Sequence, residues 1–454
     1  MWCGLMLAPV LALGAIEHTR AQSNWHKAGL PIKCLQLFQI YADTAHSTMY
    51  YCGGFSGDGT NGLNNNGVMR YQNNDWDTLG DFTSFVRSVV VYHDTLIAAG
   101  EFYAVSGDSI AFIVYYDGVQ WQQYGSIDSP ARKLKILNGD LYLAGSFNYA
   151  DGHLCNGIAK RVGGHWENVG QLTALFDATI DDMEWYQSDL IVAGSINLDA
   201  QHKDVLKYHD GTWSSVGPGL LGGFSAGKCL AVFKGELYVG GLMLLSAGNA
   251  GQGIMRWDGS AWHNLGVGPQ YINGSYQYNY QIESLTVHDS LLFVGGGFHY
   301  VSNTPAEYIA TWDGCRWCGL GGFNSEQVIS STFYQDTLYV SGGLIIDGDS
   351  VNKAAKFIGA NYEDTCSIAM GIGMHLAHAP VSAFEDGNGV LNISGLPAGQ
   401  ASIRLYNALG QSVDAFTVTS DGRTTATHRL PQLANGVYVV SVPGVFSTKV
   451  FHGR

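Results

Sequence analysis

The chain has 454 residues, 46% of them hydrophobic and 12% aromatic, with 60 glycines, which suits a large core built from many short strands and tight turns. Only 13% of residues are charged, and 38 acidic against 23 basic residues leave a formal net charge of -15. Binding to nucleic acid, which needs a positive footprint to release counterions from phosphates, is excluded from the expected functions.

Taken in chain order, residues 1–15 are apolar and too short to span a bilayer, and Thr19-Arg20-Ala21 before Gln22 offers a small-residue cleavage site. Residues 1–21 therefore resemble a secretory signal peptide, although the leading stretch lacks Lys or Arg. No other stretch is long and apolar enough to be a membrane span. Trp25-His26-Lys27-Ala28-Gly29 then reads as a strand with no unit before it.

From there a unit repeats over residues 24–367. Its first half is Leu237-Tyr238-Val239-Gly240-Gly241, which returns as Met49-Tyr50-Tyr51-Cys52-Gly53, Leu96 to Gly100, Leu141 to Gly145, Leu190 to Gly194, Leu292 to Gly296 and Leu338 to Gly342. Its second half carries Trp76, Trp121, Trp166, Trp213, Trp262 and Trp317, with Tyr362 in the last register, at steps of 45, 45, 47, 49, 55 and 45 residues. A period near 45 built from short strands is that of a β-propeller. Each unit reads as four strands. Lys234-Gly235 and Asn138-Gly139 supply the positive φ of a two-residue hairpin between the first and second strands, and Asp117-Gly118, Asp210-Gly211, Asp258-Gly259 and Asp313-Gly314 are assigned to hairpins before the fourth strand. Seven copies predict seven blades, with the Trp25 strand completing the last blade alongside or in place of the Tyr362 strand so that no sheet edge is exposed. The glycine ending each second strand is read as a site of close packing between neighbouring sheets.

Cysteines outside the leader fall at 34, 52, 155, 229, 315, 318 and 366, an odd number. Cys52 sits in a column of small residues and reads as core. Cys315 and Cys318 lie on a predicted strand about 10 Å apart, which disfavours a direct bridge, and no second pair supplies further zinc ligands.

The strand ending in Gly-Gly or Ala-Gly, the aromatic at Tyr71, Tyr116, Tyr208, Trp257 or Trp312, and the Trp four or five residues later resemble the kelch repeat. The resemblance implies a propeller and leaves the chemistry open, since such propellers include binding proteins and oxidases.

After residue 367 the repeat stops. Residues 368–380 read as a linker, in which His375 and His378 lack companion ligands, so neither a metal nor any other cofactor is expected. Residues 381–454 alternate as strands at Val390 to Ser394, Ala401 to Tyr406, Gly436 to Val442 and Ser447 to Val450, predicting a small β-sandwich. Ile403-Arg404-Leu405-Tyr406-Asn407-Ala408-Leu409-Gly410-Gln411, Leu433-Ala434-Asn435-Gly436-Val437-Tyr438 and Thr448-Lys449-Val450 make this tail resemble the C-terminal sorting domain of the type IX secretion system of Bacteroidetes. That resemblance implies the secretion machinery as a partner and a secreted or outer cell-surface location. It departs at the start, where Ala379-Pro380 replaces the family's Asn-Pro.

Two places attract functional interest. The longest inter-blade loop carries Tyr276, Tyr278 and Tyr280 and is expected to meet His299 and Tyr300 on the neighbouring loop, forming a shelf of flat faces and hydrogen-bonding tips for a glycan or a surface protein. Asp181, Asp182 and Glu184 begin the first strand of the fourth blade, where an acid pair suits glycoside hydrolysis. Lys133 and Lys135 hold the matching positions of the third blade, so ion pairing across the blade boundary is the simpler expectation. The expected protein is an exported, non-catalytic propeller that binds a glycan or protein, with a polysaccharide-active hydrolase or oxidase as the alternative.

Overall fold

The computed structural model describes residues 24–31, 33–56, 64–170, 172, 178–198, 203–221, 227–244, 247–266, 268–273, 276–278, 281–302, 304–320, 327–343, 345–346, 349–350, 353–359, 362, 365–366, 382–385, 389–394, 396, 399–407, 411–420, 425–442 and 446–452. Residues 1–21, expected to be a leader, lie outside them, as do His375, His378 and the rest of the stretch expected to be a linker. The fold is all-β and divides into two compact units: 1–313 with 317–366, and 367–454 with 314–316. Among the described residues no helix is long and apolar enough to cross a membrane.

The first unit is organised by seven small antiparallel sheets, numbered here in chain order. In sheet 5 the strands Gly227–Phe233, Glu236–Gly241, Ile254–Trp257 and Trp262–Asn264 each pair with the next. The same succession occurs over 33–82 (sheet 1), 86–123 (sheet 2), 131–168 (sheet 3), 179–215 (sheet 4) and 282–319 (sheet 6). Sheet 7 has Val328–Tyr334, Thr337–Gly342 and Ala354–Phe357, and takes Trp25–Lys27 as its fourth strand, with Trp25 opposite Phe357. Tyr362 is thus no fourth-strand residue; its ring packs on Phe293 and Phe357. Just beyond it, Thr365–Cys366 adds a fifth strand to sheet 6 beside Trp317–Gly319, and a Cys318–Cys366 disulfide joins the two. The first strands of the seven sheets neighbour one another in a closed cycle that runs from sheet 7 back to sheet 1.

Turn chemistry explains the hairpins, with one revision. Asn138-Gly139 and Lys234-Gly235 take positive φ at both residues (52° and 85°, 50° and 79°), as two-residue turns require. Among the four Asp-Gly pairs assigned to these hairpins, only Asp210-Gly211 does the same, with His209 opposite Thr212. Elsewhere the loop has four residues, with Tyr116 opposite Trp121 and Trp257 opposite Trp262, and the aspartate folds it from within. Asp117 Oδ1 accepts from the Val119 and Gln120 amides, and Asp258 Oδ1 from those of Ser260 and Ala261, all at 2.8 Å.

From sheet 2 onward the repeated tryptophans tie each sheet to the one before. The indole N–H of Trp121 donates to Leu79 O (3.1 Å), that of Trp166 to Tyr124 O (2.9 Å), Trp213 to Val169 O (2.8 Å), Trp262 to Val216 O (3.0 Å) and Trp317 to Leu265 O (2.7 Å). Trp25 continues the series from sheet 7 to Leu320 O of sheet 6 (3.3 Å), which is the physical sense in which the N-terminal strand replaces a missing one. Most of these indoles also pack on the cross-strand aromatic of their own hairpin, as in Tyr116–Trp121 and Trp312–Trp317 (ring centres 5.2 and 4.9 Å apart), while Trp166 instead faces Arg161, whose guanidinium lies 5.2 Å from its ring centre.

The glycine ending each second strand has a different cause from the one expected. A Cβ on Gly100, Gly194 or Gly342 would stand 2.2, 2.0 or 1.9 Å from the carbonyl oxygen of Phe85, Thr179 or Gln327, at or immediately before the start of the first strand of the same sheet. It is the residue before this glycine that meets the neighbouring sheet: a Cβ on Gly240 would lie 2.6 Å from Ile282 of sheet 6, and one on Gly295 would lie 2.6 Å from Val328 of sheet 7. Cys52, fully buried, belongs to this second column. Burial pushes its thiol up to about 12, as befits a core residue.

The second unit has a three-stranded sheet of Ser382–Glu385, Val390–Ser394 and Ala426–Arg429, and a four-stranded sheet in the order Ser412–Ser420, Gly399–Tyr406, Gly436–Val442, Phe446–His452. Leu391 and Ile393 from the first sheet share one core with Ile403, Leu405, Tyr438 and Val440 from the second. Three of these strands, at 382–385, 412–420 and 426–429, were not anticipated.

Candidate functional site

The carbonyl that excludes a Cβ from the glycine column lies one residue before a β-bulge, and bulges set the chemistry of the ring's centre. Every first strand slips by one residue against its partner near its start: at Leu37/Gln39, Val86/Ser88, Ala131/Lys133, Ile180/Asp182, Gly227/Cys229, Ile282/Ser284 and Val328/Ser330. The extra residue of a bulge is re-aimed out of the regular alternation. Here the extra residues are Phe38, Arg87, Arg132, Asp181, Lys228, Glu283 and Ile329, one per sheet, and all seven line a single cavity of about 320 Å³. Because the bulges lie at the start of the first strands, the cavity opens on the end that carries the second-to-third-strand and inter-sheet loops.

The residue after the bulge does a different job. Gln39 Oε1 accepts the Val89 amide of the next sheet (2.8 Å), Ser88 Oγ that of Leu134 (3.1 Å), Asp182 Oδ2 that of Leu230 (2.9 Å) and Ser330 Oγ that of Ile40 (3.5 Å). These bonds satisfy amides on the inner edge of the innermost strands, where no further strand can pair. Asp182 is therefore a joint between sheets 4 and 5.

The carboxylates singled out in the sequence are all engaged. Asp181 sits between two cations, with Arg132 Nη1 at 3.4 Å and Lys228 Nζ at 3.0 Å. Lys135 Nζ reaches Glu184 at 2.9 Å and Asp182 at 3.6 Å, while Lys133 Nζ is 4.0 Å from Asp182. Burial works against the Lys135 charge, yet Asp182 and Glu184 hold its pKa above the ordinary value. Glu184 Oε1 also accepts the Trp185 amide at 2.9 Å. Arg87 donates to Glu101 (2.8 Å) and lies over the Phe38 ring, 3.9 Å from its centre. Reasoning from the sequence missed Arg87, Arg132, Lys228 and Glu283. Burial raises the Glu283 pKa, with Lys228 opposing and Asp181 reinforcing the shift.

The tyrosine shelf falls partly outside the described residues. Tyr280 lies beyond them, and Tyr276 and Tyr278 are described as backbone only. Among the described residues that backbone is joined to the neighbouring loop only through an intervening strand. Tyr276–Tyr278 pairs with Pro269–Asn273, which pairs with Tyr300–Val301, which pairs with Thr304–Pro305, giving a four-stranded sheet built from two connections. His299 is half-buried, and its Nε2 lies 2.7 Å from the Tyr308 hydroxyl, while Tyr300 is partly exposed.

No protein-family model matches the chain, and no curated protein matches its sequence. Among solved structures it is similar to the extracellular domain of a putative hybrid two-component system from B. thetaiotaomicron, at 15% identity and a TM-score of 0.43, covering 92% of this chain and 56% of that one. The chain thus spans little more than half the length of the structure it matches.

Proposed function

We propose that the chain is an exported seven-bladed propeller of kelch-like repeats, followed by a β-sandwich sorting domain of the type IX secretion system, and that it binds a glycan on the loop-bearing face of the ring without transforming it. The closed cycle of seven sheets and the indole series that runs through Trp25 support the propeller. Two sheets sharing one core support the sandwich. The binding reading is carried by the four-stranded sheet that joins the tyrosine-bearing hairpin to Tyr300, since paired backbone gives a loop the rigidity a recognition surface needs.

A second reading, a polysaccharide-active enzyme, is favoured by one observation. Glu283, with its raised pKa, and Asp181, held between Arg132 and Lys228, line the same cavity, so two carboxyl groups in unlike surroundings face one space. Asp182 and Glu184, held by backbone amides and Lys135, no longer belong to that reading. A glycan array on the full chain, followed by an assay for new reducing ends on any glycan bound, separates the two. Binding that is lost in Tyr300→Ala and releases no reducing ends is expected; turnover abolished by Glu283→Gln would make the protein an enzyme. Deleting residues 381–454 should strand the propeller in the periplasm of a native host, and normal surface delivery would rule out the sorting role.

A further inference from the structure

We infer that the axial cavity is a second binding subsite, specific for a carboxylate-bearing sugar unit, a uronic acid within or at the end of a polysaccharide. The inference deepens the glycan-binding reading and rests on it. Its basis is how the charges around the cavity are spent. The acids face inward: Asp181 and Asp182 have side chains only 10% and 6% exposed, and both are engaged by cations or a backbone amide. The cations beside them are more open. Arg132 and Lys133 keep 38% and 33% of their side chains exposed, and their ion-pair contacts are long, at 3.4 and 4.0 Å. A guanidinium carries five N–H donors, so one 3.4 Å contact leaves most of Arg132's capacity for a planar carboxylate. Although the chain as a whole is acidic, a ligand entering here meets cationic tips on sheet 3.

The opposite arc is amide and hydroxyl apart from Glu283 of sheet 6. Gln36, Gln281 and Gln327, from the adjacent sheets 1, 6 and 7, line the cavity together with Ser330. Amides and hydroxyls both donate and accept, which matches sugar hydroxyls better than it matches a bare anion. A raised pKa keeps Glu283 closer to its neutral form and so lessens repulsion of a ligand carboxylate. At about 320 Å³ the cavity is at the small end of ligand sites, suited to one sugar unit. Carboxylate recognition by sheet 3 and hydroxyl recognition by sheets 6, 7 and 1 together specify an acidic sugar.

Calorimetric titration of the full chain with glucuronate, glucose and inorganic phosphate tests this. Glucuronate should bind at least about tenfold more tightly than glucose, and raising salt from about 20 to about 200 mM should weaken it, since screening shortens over that range. Arg132→Ala should lower glucuronate affinity by about tenfold or more and leave glucose within about twofold. Gln327→Ala should weaken glucuronate without altering its salt dependence, and it carries the test together with Lys133→Gln if the arginine variant does not fold. Equal affinity for glucose and glucuronate, indifference to Arg132→Ala, or phosphate competing as well as glucuronate would overturn the inference. Array binding of acidic glycans that disappears in Tyr300→Ala and persists unchanged in Arg132→Ala would overturn the axial subsite alone. A full chain that binds no glycan at all overturns both readings.

Discussion

The outer and inner columns of the ring make an instructive contrast. On the outer side one residue type recurs at one place, and Trp121, Trp166, Trp213, Trp262, Trp317 and Trp25 each donate an indole N–H to the preceding sheet. On the inner side the backbone repeats as faithfully, with a bulge in every first strand, but the cavity-lining residue changes each time, from Phe38 through Arg87, Arg132, Asp181, Lys228 and Glu283 to Ile329. Uniform side chains in a repeat mark positions the fold itself demands. A uniform backbone with varied side chains marks positions where the fold only supplies an aim, and chemistry is free to differ.

The sharpest way to break this contrast is at the outer column. Trp166 is fully buried, and Trp166→Ala should cost roughly 3–5 kcal/mol in denaturant melts; a loss below about 0.5 kcal/mol, the range of ordinary surface changes, would deny the column its structural role. The bulge should come next. Gly194→Ala places a Cβ 2.0 Å from Thr179 O, so the slip in sheet 4 must open, at about 1–3 kcal/mol by analogy with overpacked cores, read from the same melts. Asp182→Ala strips the acceptor from the Leu230 amide and should cost about 1–3 kcal/mol, whereas Asp182→Asn, which can keep that acceptor, should recover part of the loss.

A smaller effect is expected in acid. Partial burial would raise the Asp258 pKa, but the Ala261 amide, Ser260 and His263 hold its carboxyl well below the usual range. A depressed folded pKa stabilises above the unfolded value of about 3.9 and loses that contribution as pH falls through the folded one. The stability gap between the wild type and Asp258→Asn should therefore shrink below about pH 4 in urea melts run across pH; a gap that stays constant would show that the charge is not what holds this loop. Smallest of all, Arg132→Ala at the inner column should shift stability by no more than about 0.5 kcal/mol in thermal melts. A larger loss would mean that the inner column, too, is structural.

Much of this architecture was legible because it is local. Hairpins at Asn138-Gly139 and Lys234-Gly235 follow from residues that tolerate positive φ, and the spacing of Trp76 to Trp317 reports the repeat directly. The apposition of Lys135 with Glu184 followed from matching positions in successive units. In the second unit, Val390–Ser394 and Gly436–Val442 were readable from alternation. Ser412–Ser420 alternates as well, but its alternation runs on through Thr and Ser with few large apolar residues, and that signal was too weak to register.

The sequence by itself, then, determined the repeat, its first-to-second-strand turns and the tryptophan anchors of the first six units, all of which depend on neighbours a few residues apart. Tertiary structure decided which strand closes sheet 7, which cysteine Cys318 meets and which side chains reach the axis. Trp25 and Phe357 are over 300 residues apart, and Cys318 and Cys366 are separated by 48, so no local pattern couples them. The axial cavity is hidden for a subtler reason. A one-residue slip reverses the face of every side chain beyond it, so Arg132, Asp181 and Lys228 look like ordinary members of an alternating strand until the pairing partner shows where the slip occurs.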